Sequence, residues 1–132
     1  MNVKQAVPFF AVSNIEASVL WYVDGLGFAM TKRWIDEGKL RWCLLEHGSA
    51  NLMLQEFVGR EIGGAGVSIC FLCEDALALY HDFRARGVDA DEPFVGNGLW
   101  VTSVRDPDGY RLDFESPTDV PEDTTYSEYR GH

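Results

Sequence analysis

The chain has 132 residues, of which 46% are hydrophobic and 24% are charged, so it can bury the core of a single globular domain. No apolar run approaches the roughly 20 residues of a membrane-spanning helix, and the first residues lack the apolar stretch of a signal peptide. We therefore expect a cytoplasmic protein without a membrane partner. The formal net charge of −10 argues against nucleic acid as a partner and favours a cationic ligand, although acidity can also serve solubility alone.

The first half predicts a strand, a helix and three further strands. The apolar run from Val7 to Val12 is a short strand, and Ser13-Asn14 can cap the helix that follows. Gly27 is placed to end this helix, because glycine adopts the positive φ of a C-terminal cap. The later strands are predicted at about 28–35, 39–46 and 50–57.

The second half repeats this order after a glycine-containing linker at 58–64. A strand at 67–73 precedes a helix capped by Asp75 and ended by Gly87. Strands at about 88–95, 99–105 and 110–116 complete the half, with the tight turn Asp106-Pro107-Asp108-Gly109 before the last one. Cys70 and Cys73 form a C-x-x-C in the predicted strand at 67–73, where a spacing of three points the side chains to opposite faces. We expect structural thiols rather than a redox or zinc site, and the odd total of three cysteines fits a reducing compartment.

The two halves form an internal repeat of two β-α-β-β-β modules. At a constant offset of about 60 residues, strands fall on strands and turns on turns without a gap, and Met53 shares a position with Asp113. The expected organisation is one domain, 1–132, with module 1 at about 5–57, module 2 at about 65–116 and an acidic tail at 117–132. The tail is expected to be disordered, with docking through Val120, Tyr126 and Tyr129 as the alternative.

Three segments carry a resemblance to a known family. Residues 8–18, 21–28 and 106–114 resemble the vicinal oxygen chelate superfamily, which includes glyoxalase I, extradiol dioxygenases, fosfomycin-resistance enzymes and bleomycin-resistance proteins. The resemblance covers about residues 5–116. It implies an α+β fold in which two tandem β-α-β-β-β modules form a cup-shaped, half-open mixed sheet, but it does not assign an activity.

The resemblance also implies where metal ligands would lie in the enzymes of the superfamily. The corresponding positions are Val7, Met53, Val67 or Ser68, and Asp113, of which only Asp113 carries a strong ligand. One carboxylate cannot hold a catalytic ion, which needs several convergent N or O donors. The three histidines, His47, His81 and His132, share neither a strand nor a spacing. We therefore expect no metal and no other cofactor.

Members without metal ligands are similar to the bleomycin-resistance group, and this implies an acidic homodimer that withholds a drug from its target. By that resemblance the ligand is planar, cationic and aromatic, and it lies in a groove at the dimer interface. Strand tryptophans can stack on such a ligand, although they can equally be packing residues. Strand alternation places Met53 and Gln55, and likewise Asp113 and Glu115, on the ligand side of their strands. The predicted ligand-binding residues are Trp34, Trp42, Met53, Gln55, Trp100, Asp113 and Glu115.

Two alternatives remain from other functional classes. The first is a metal-dependent or metal-free lyase, isomerase or dioxygenase of the glyoxalase type, in which Asp113 is the general base. The second is a regulatory module whose cup is vestigial. The sequence contains neither a G-x-S-x-G motif nor a cysteine with an evident histidine partner, so covalent catalysis has no support.

Overall fold

The computed structural model describes residues 2–59, 61–64 and 66–131. The chain divides between Gly63 and Gly64 into two compact units, and each unit contains one four-stranded mixed sheet. The predicted α+β class is confirmed, and both units have the β-α-β-β-β order. No helix in the described part of the chain is long and apolar enough to cross a membrane.

The described residues of unit 1 form one helical segment, which is first α-helical and then π-helical, and four strands. Its sheet has the order β1-β4-β3-β2, with β1 parallel to β4 and the other neighbours antiparallel. The elements are β1 (Phe9–Val12), α1 (Ile15–Leu20), β2 (Ala29–Asp36), β3 (Lys39–His47) and β4 (Ala50–Glu56).

Helix α1 begins where the sequence predicted but changes its winding before it ends. The Asn14 side chain accepts a hydrogen bond from the Ala17 N–H at 3.1 Å, which satisfies one of the unpaired donors of the first turn. After Leu20 the chain continues as a π-helix over Trp21–Gly25 rather than as the single α-helix expected. Gly27 then has φ +83° and ends the helical segment as predicted.

Unit 2 repeats the arrangement with the sheet order β5-β8-β7-β6, β5 being parallel to β8. Asp75 caps α2 by accepting from the Ala78 N–H at 3.0 Å. The elements are β5 (Ser68–Leu72), α2 (Ala76–Ala85), β6 (Phe94–Gly96), β7 (Leu99–Arg105), β8 (Arg111–Pro117) and α3 (Tyr126–Arg130).

Strand β6 is much shorter than the strand predicted at 88–95. Val88 and Ala90 are buried, as the apolar alternation predicted, and the Asp91 N–H donates to Ser103 O on β7 at 3.0 Å, but the segment before Phe94 does not form a regular strand. Pro93 lacks the N–H that a ladder requires. Pairing with β7 therefore begins only at Phe94.

The predicted constant offset of 60 residues is wrong in detail. Phe9 pairs with Met53 and Cys70 pairs with Asp113, so the first strands are offset by 61 residues. Leu44 and Ser103 are the β3 and β7 partners of the same two residues, which gives an offset of 59. The repeat thus preserves strand pairing while the connections differ in length, and the residue that matches Val7 is Ser68 rather than Val67.

The tail is ordered, contrary to the expectation of disorder for residues 117–131. Val120 and Tyr126 pack against the cluster formed by Ala76, Val95 and Trp100, in agreement with the docking alternative. The backbone runs beside β6, where the Val95 N–H donates to Thr124 O and the Asp123 N–H donates to Val95 O, both at 2.9 Å. The expectation failed because the tail is polar in composition but carries its few apolar side chains at the positions that face this cluster.

Candidate functional site

Each sheet has one face packed on its own helix and an opposite face, here called the helix-free face. In unit 1 the side packed on α1 is fully buried and includes Cys43, Leu45, Leu52 and Leu54. Because side chains alternate along a strand, their neighbours point the other way. The helix-free face of unit 1 therefore carries Trp34, Trp42, Leu44, Met53 and Gln55.

The two tryptophans of this face are directly opposed. Trp34 on β2 pairs with Trp42 on β3, and Trp42 pairs in turn with Gln55 on β4. Met53 pairs with Leu44 one step further along the same face. The Trp34 side chain remains 51% exposed, which is unusual for so large an apolar group. The structure thus brings together the four ligand-binding residues predicted in unit 1.

In unit 2 the predicted acidic residues lie on the helix-free face, but Asp113 does not carry a free charge. Its Oδ1 accepts from Ser103 Oγ at 2.6 Å and from Arg111 Nε at 2.9 Å. Arg111 Nη2 also donates to Ser103 Oγ at 3.4 Å. The Asp113 carboxylate raises the pKa of Arg111, as expected for a close opposite charge. The expectation that Asp113 offers ligand-facing acidity is therefore corrected: its charge is compensated within the unit.

Glu115 is the carboxylate of this face without a cationic partner among the residues that the structure describes. Its strand neighbours on the same face are Leu72 and Val101. A hydrogen bond with Glu115 raises the pKa of the Cys70 thiol to about 11, with smaller contributions from burial and from nearby negative charge. Cys70 is exposed, whereas Cys73 packs against the core, so the two thiols lie apart as the spacing predicted.

Trp100 lies on the other side of its sheet from Asp113 and Glu115. It is only 5% exposed and packs against Ala76 and Val95 on the side of α2. Its ring meets those of Tyr126 and Tyr129 edge to face, with centroid distances of 6.3 and 5.3 Å. Trp100 is a core residue that also supports the tail, and it does not join the predicted site residues of unit 2.

Sequence reasoning missed three residues beside Asp113. Arg111 precedes it by two positions on β8, Ser103 is its partner on β7, and Cys70 is its partner on β5. The alternation that placed Asp113 and Glu115 on one face also places Arg111 there. The position of Arg111 could therefore have been predicted from the sequence. Ser103 and Cys70 could not, because their place beside Asp113 depends on the strand register.

Residues 4–114 match the family model described as the Glyoxalase/Bleomycin resistance protein/Dioxygenase superfamily. The chain belongs to this superfamily. The match spans both units and includes every residue of the two helix-free faces discussed above except Glu115. The resemblance inferred from the motifs is thereby confirmed.

Solved structures of other proteins share the fold at low sequence identity. TnmS3, an antibiotic-binding protein from Streptomyces sp. CB03234, has a TM-score of 0.75 at 20% identity, over 89% of this chain and 99% of its own. TioX from Micromonospora sp. ML1 has a TM-score of 0.72 at 22% identity, covering 87% and 99%. A bleomycin-binding protein complexed with bleomycin has a TM-score of 0.69 at 20% identity, covering 86% and 98%. No curated protein sequence is significantly similar to this chain.

The residues that the family resemblance predicts at metal-ligand positions do not suit a divalent ion. These positions carry Val7, Met53, Ser68 and Asp113, and the only carboxylate among them is already held by Arg111 and Ser103. Over residues 2–59, 61–64 and 66–131, no three His, Cys, Asp or Glu side chains lie close enough to hold a metal.

Proposed function

We propose that this protein is a bleomycin-resistance-like binding protein that sequesters a planar, cationic aromatic small molecule. The observation that carries the proposal is the opposed pair Trp34 and Trp42 on the helix-free face of unit 1, with Trp34 half exposed. We further propose that the ligand lies in a groove that forms when two chains pair as a homodimer. The proposed ligand-binding residues are Trp34, Trp42, Met53, Gln55, Asp113 and Glu115, and Trp100 is omitted because it is buried in the core.

The aromatic pair suits a flat ligand for two physical reasons. Large apolar area left in water is unfavourable, at roughly 25 cal/mol per Å², so a ligand that covers Trp34 recovers part of that free energy. Indole rings also attract cations through their faces, with about 0.5–2 kcal/mol per contact. Met53 and Gln55 add an adaptable apolar contact and a hydrogen-bonding amide on the same face.

The charge of the protein supports a cationic ligand, although less directly than the composition alone implied. Glu115 supplies a carboxylate without a cationic partner in the described part of unit 2, and the chain as a whole carries −10. Asp113 is compensated by Arg111. We therefore assign charge recognition to Glu115, whereas Asp113 contributes a ligand contact without a net charge.

The structural neighbours support the binding class and not a particular ligand. One is described as an antibiotic-binding protein and another is a bleomycin-binding protein in complex with bleomycin. At identities of 20% these likenesses establish the shared fold. The ligand class is inferred from the residues of this chain.

The proposal is tested by titrating the protein with bleomycin, with the cationic dye proflavine and with phenazine as a flat neutral control. Binding is followed by tryptophan fluorescence and by calorimetry. We expect saturable binding of a cationic compound and a loss of about tenfold in affinity for Trp34→Leu or Trp42→Leu, from lost stacking and cation–π contacts. Trp21→Phe, in the π-helix, is the matched control and should bind normally. Failure of every compound to bind, or unchanged affinity in both strand variants, would overturn the proposal.

The charge contribution is tested separately with Glu115→Gln. This substitution should lower the affinity for the cationic compound and leave the affinity for the neutral compound unchanged. The affinity of the cation should also fall as salt rises toward physiological strength, where the Debye length is about 8 Å. Equal behaviour of cationic and neutral compounds at all salt concentrations would show that the acidity serves solubility only.

A second candidate function is a metal-free isomerase or lyase in which Asp113 is the base. The observation that favours it is the asymmetry of the carboxylate: Oδ1 is fixed by two donors, while Oδ2 has no hydrogen-bond partner among the residues that the structure describes. A fixed carboxylate with one available oxygen can accept a substrate proton. Turnover of a bound compound that disappears in Asp113→Asn would establish this function, whereas binding without turnover favours the sequestering protein.

A further inference from the structure

Unit 2 contains a groove whose lining residues are not among the proposed ligand-binding residues. It has a volume of about 390 Å³, within the range of roughly 300–1,000 Å³ typical of small-molecule sites. Its lining comes from the start of β5 with the glycine-rich segment before it, from the β7–β8 turn, and from the facing ends of β7 and β8. The polar side chains in this lining are those of Ser68, Arg105 and Arg111.

Two arginines converge on this groove because of the strand register. Arg105 ends β7, Arg111 begins β8, and the two are direct partners in the antiparallel ladder. Like charges placed opposite each other in a sheet repel, so the arrangement is unfavourable unless negative charge is near. Asp91 lies 3.2 Å from Arg105 Nη1, and Asp113 lies 2.9 Å from Arg111 Nε.

Each arginine keeps donors that these ion pairs do not use. A guanidinium has five N–H groups in a planar fork that matches a carboxylate or a phosphate. Arg105 contacts Asp91 through Nη1, and Arg111 uses Nε and Nη2 for Asp113 and Ser103. Arg111 Nη1 has no hydrogen-bond partner within the described residues. The Arg105 and Arg111 side chains are 54% and 39% exposed, so these donors are accessible.

The β7–β8 turn that borders the groove is internally fixed. Asp106 Oδ1 accepts from the N–H groups of Asp108 and Tyr110, both at 2.9 Å. Gly64 lies directly against this turn, since a Cβ at that position would come within 2.5 Å of the Tyr110 Cα. Gly64 and the end of the turn are therefore packed together at one wall of the groove.

We propose that this groove is an oxyanion site that binds the carboxylate or phosphate group of a small organic acid through Arg105 and Arg111. The paired arginines have no counterpart at the matching positions of unit 1. The matching partners in unit 1 are Glu46 and Asn51, which are likewise paired across β3 and β4. The proposal does not rest on the proposed function, because Arg105 and Arg111 are not among the ligand-binding residues named there.

The test is a titration of the ¹⁵N-labelled protein with inorganic phosphate and, separately, with succinate, at constant ionic strength. Nuclear magnetic resonance follows the amides of Ser68 and Gly109 and the Nε–H groups of the two arginines. We expect saturating shifts at these groups for at least one of the two anions, and the arm that saturates identifies the phosphate or the carboxylate. Arg105→Gln should weaken that binding by about tenfold, as expected for loss of a charge-assisted hydrogen bond.

Arg86→Gln is the matched control. Arg86 is a surface arginine whose Nε lies 3.1 Å from the Asp82 carboxylate, so this substitution removes the same charge outside the groove. It should bind the anion normally. Arg111→Lys, which keeps the charge near Asp113, provides a second groove variant that should fold and bind more weakly. Shifts that remain linear in concentration, equal shifts with chloride, or equal affinity of Arg105→Gln and Arg86→Gln would overturn the proposal.

Discussion

At the scale of single residues, the helix-free face of unit 2 shows how a neighbour changes the meaning of a side chain. Asp113 and Glu115 look alike in sequence, two acids on one face of a strand. Arg111 and Ser103 hold the first, whereas Glu115 interacts with the thiol of Cys70. Face assignment follows from alternation alone, but compensation of charge depends on cross-strand partners. The sequence therefore predicted where these carboxylates lie and not what they do.

Cys70 should react slowly with alkylating agents although it is exposed. Its pKa is raised to about 11, mainly by the hydrogen bond with Glu115, so little of the nucleophilic thiolate is present near neutral pH. The rate of labelling by iodoacetamide, followed by mass spectrometry, should keep rising with pH from 8 toward about 11. Glu115→Gln should lower the pKa and speed the reaction at pH 8. Glu74→Gln, a change in an exposed carboxylate that does not act on Cys70, is the control, and equal rates in the two variants would contradict the assignment.

At the scale of elements, the sequence predicted most strands and both helix starts from local signals. Strand β7 matches its expected range of 99–105, and Asn14 and Asp75 cap the helices as their side chains indicated. Strand β6 and the tail were mispredicted, because their structure depends on partners distant in sequence. Trp100 was assigned to the site for the same reason, since its face is set by pairing with Ser116.

The docked tail should contribute measurably to stability. Tyr126 contacts the Trp100 ring and its hydroxyl lies 2.8 Å from His81 Nε2, so Tyr126→Ala removes both contacts. We expect a loss of about 1–3 kcal/mol in the free energy of unfolding, less than for a fully buried aromatic residue. Urea denaturation followed by tryptophan fluorescence measures it. Asp119→Ala, an exposed tail residue, should change stability by less than about 0.5 kcal/mol; equal losses in the two variants would argue against specific docking.

At the scale of the whole molecule, the prediction that the protein carries no stoichiometric transition metal rests on its side chains. Val7, Met53 and Ser68 cannot replace the ligands of the superfamily's metal enzymes, and Asp113 is engaged by Arg111. Elemental analysis of purified protein should find well below one metal per chain. A filled site, together with activity lost to a chelator, would instead revive the glyoxalase or dioxygenase alternative.

We further predict a homodimer. Strand β2 ends the sheet of unit 1, spans eight residues and is exposed along most of its length, including Trp34 and Ile35 at 51% each. A long edge strand with exposed apolar side chains favours association. Light scattering at micromolar concentration should give about twice the 14.8 kDa of the chain. A measured mass of 14.8 kDa would contradict the dimer, and the ligand groove would then have to form within one chain.

The changing offset between the halves matters for how distant relatives of this chain are recognised. Offsets of 61 residues at the first strands and 59 at β3 and β7 mean that loops have gained and lost residues while hydrogen-bonded partners stayed matched. A search that carries ligand positions across at a fixed interval would select Val67, one place from Ser68. In a strand, that single step exchanges one face for the other. In such duplicated proteins, equivalent residues of the two halves are therefore better identified by their hydrogen-bonded strand partners than by a fixed interval along the chain.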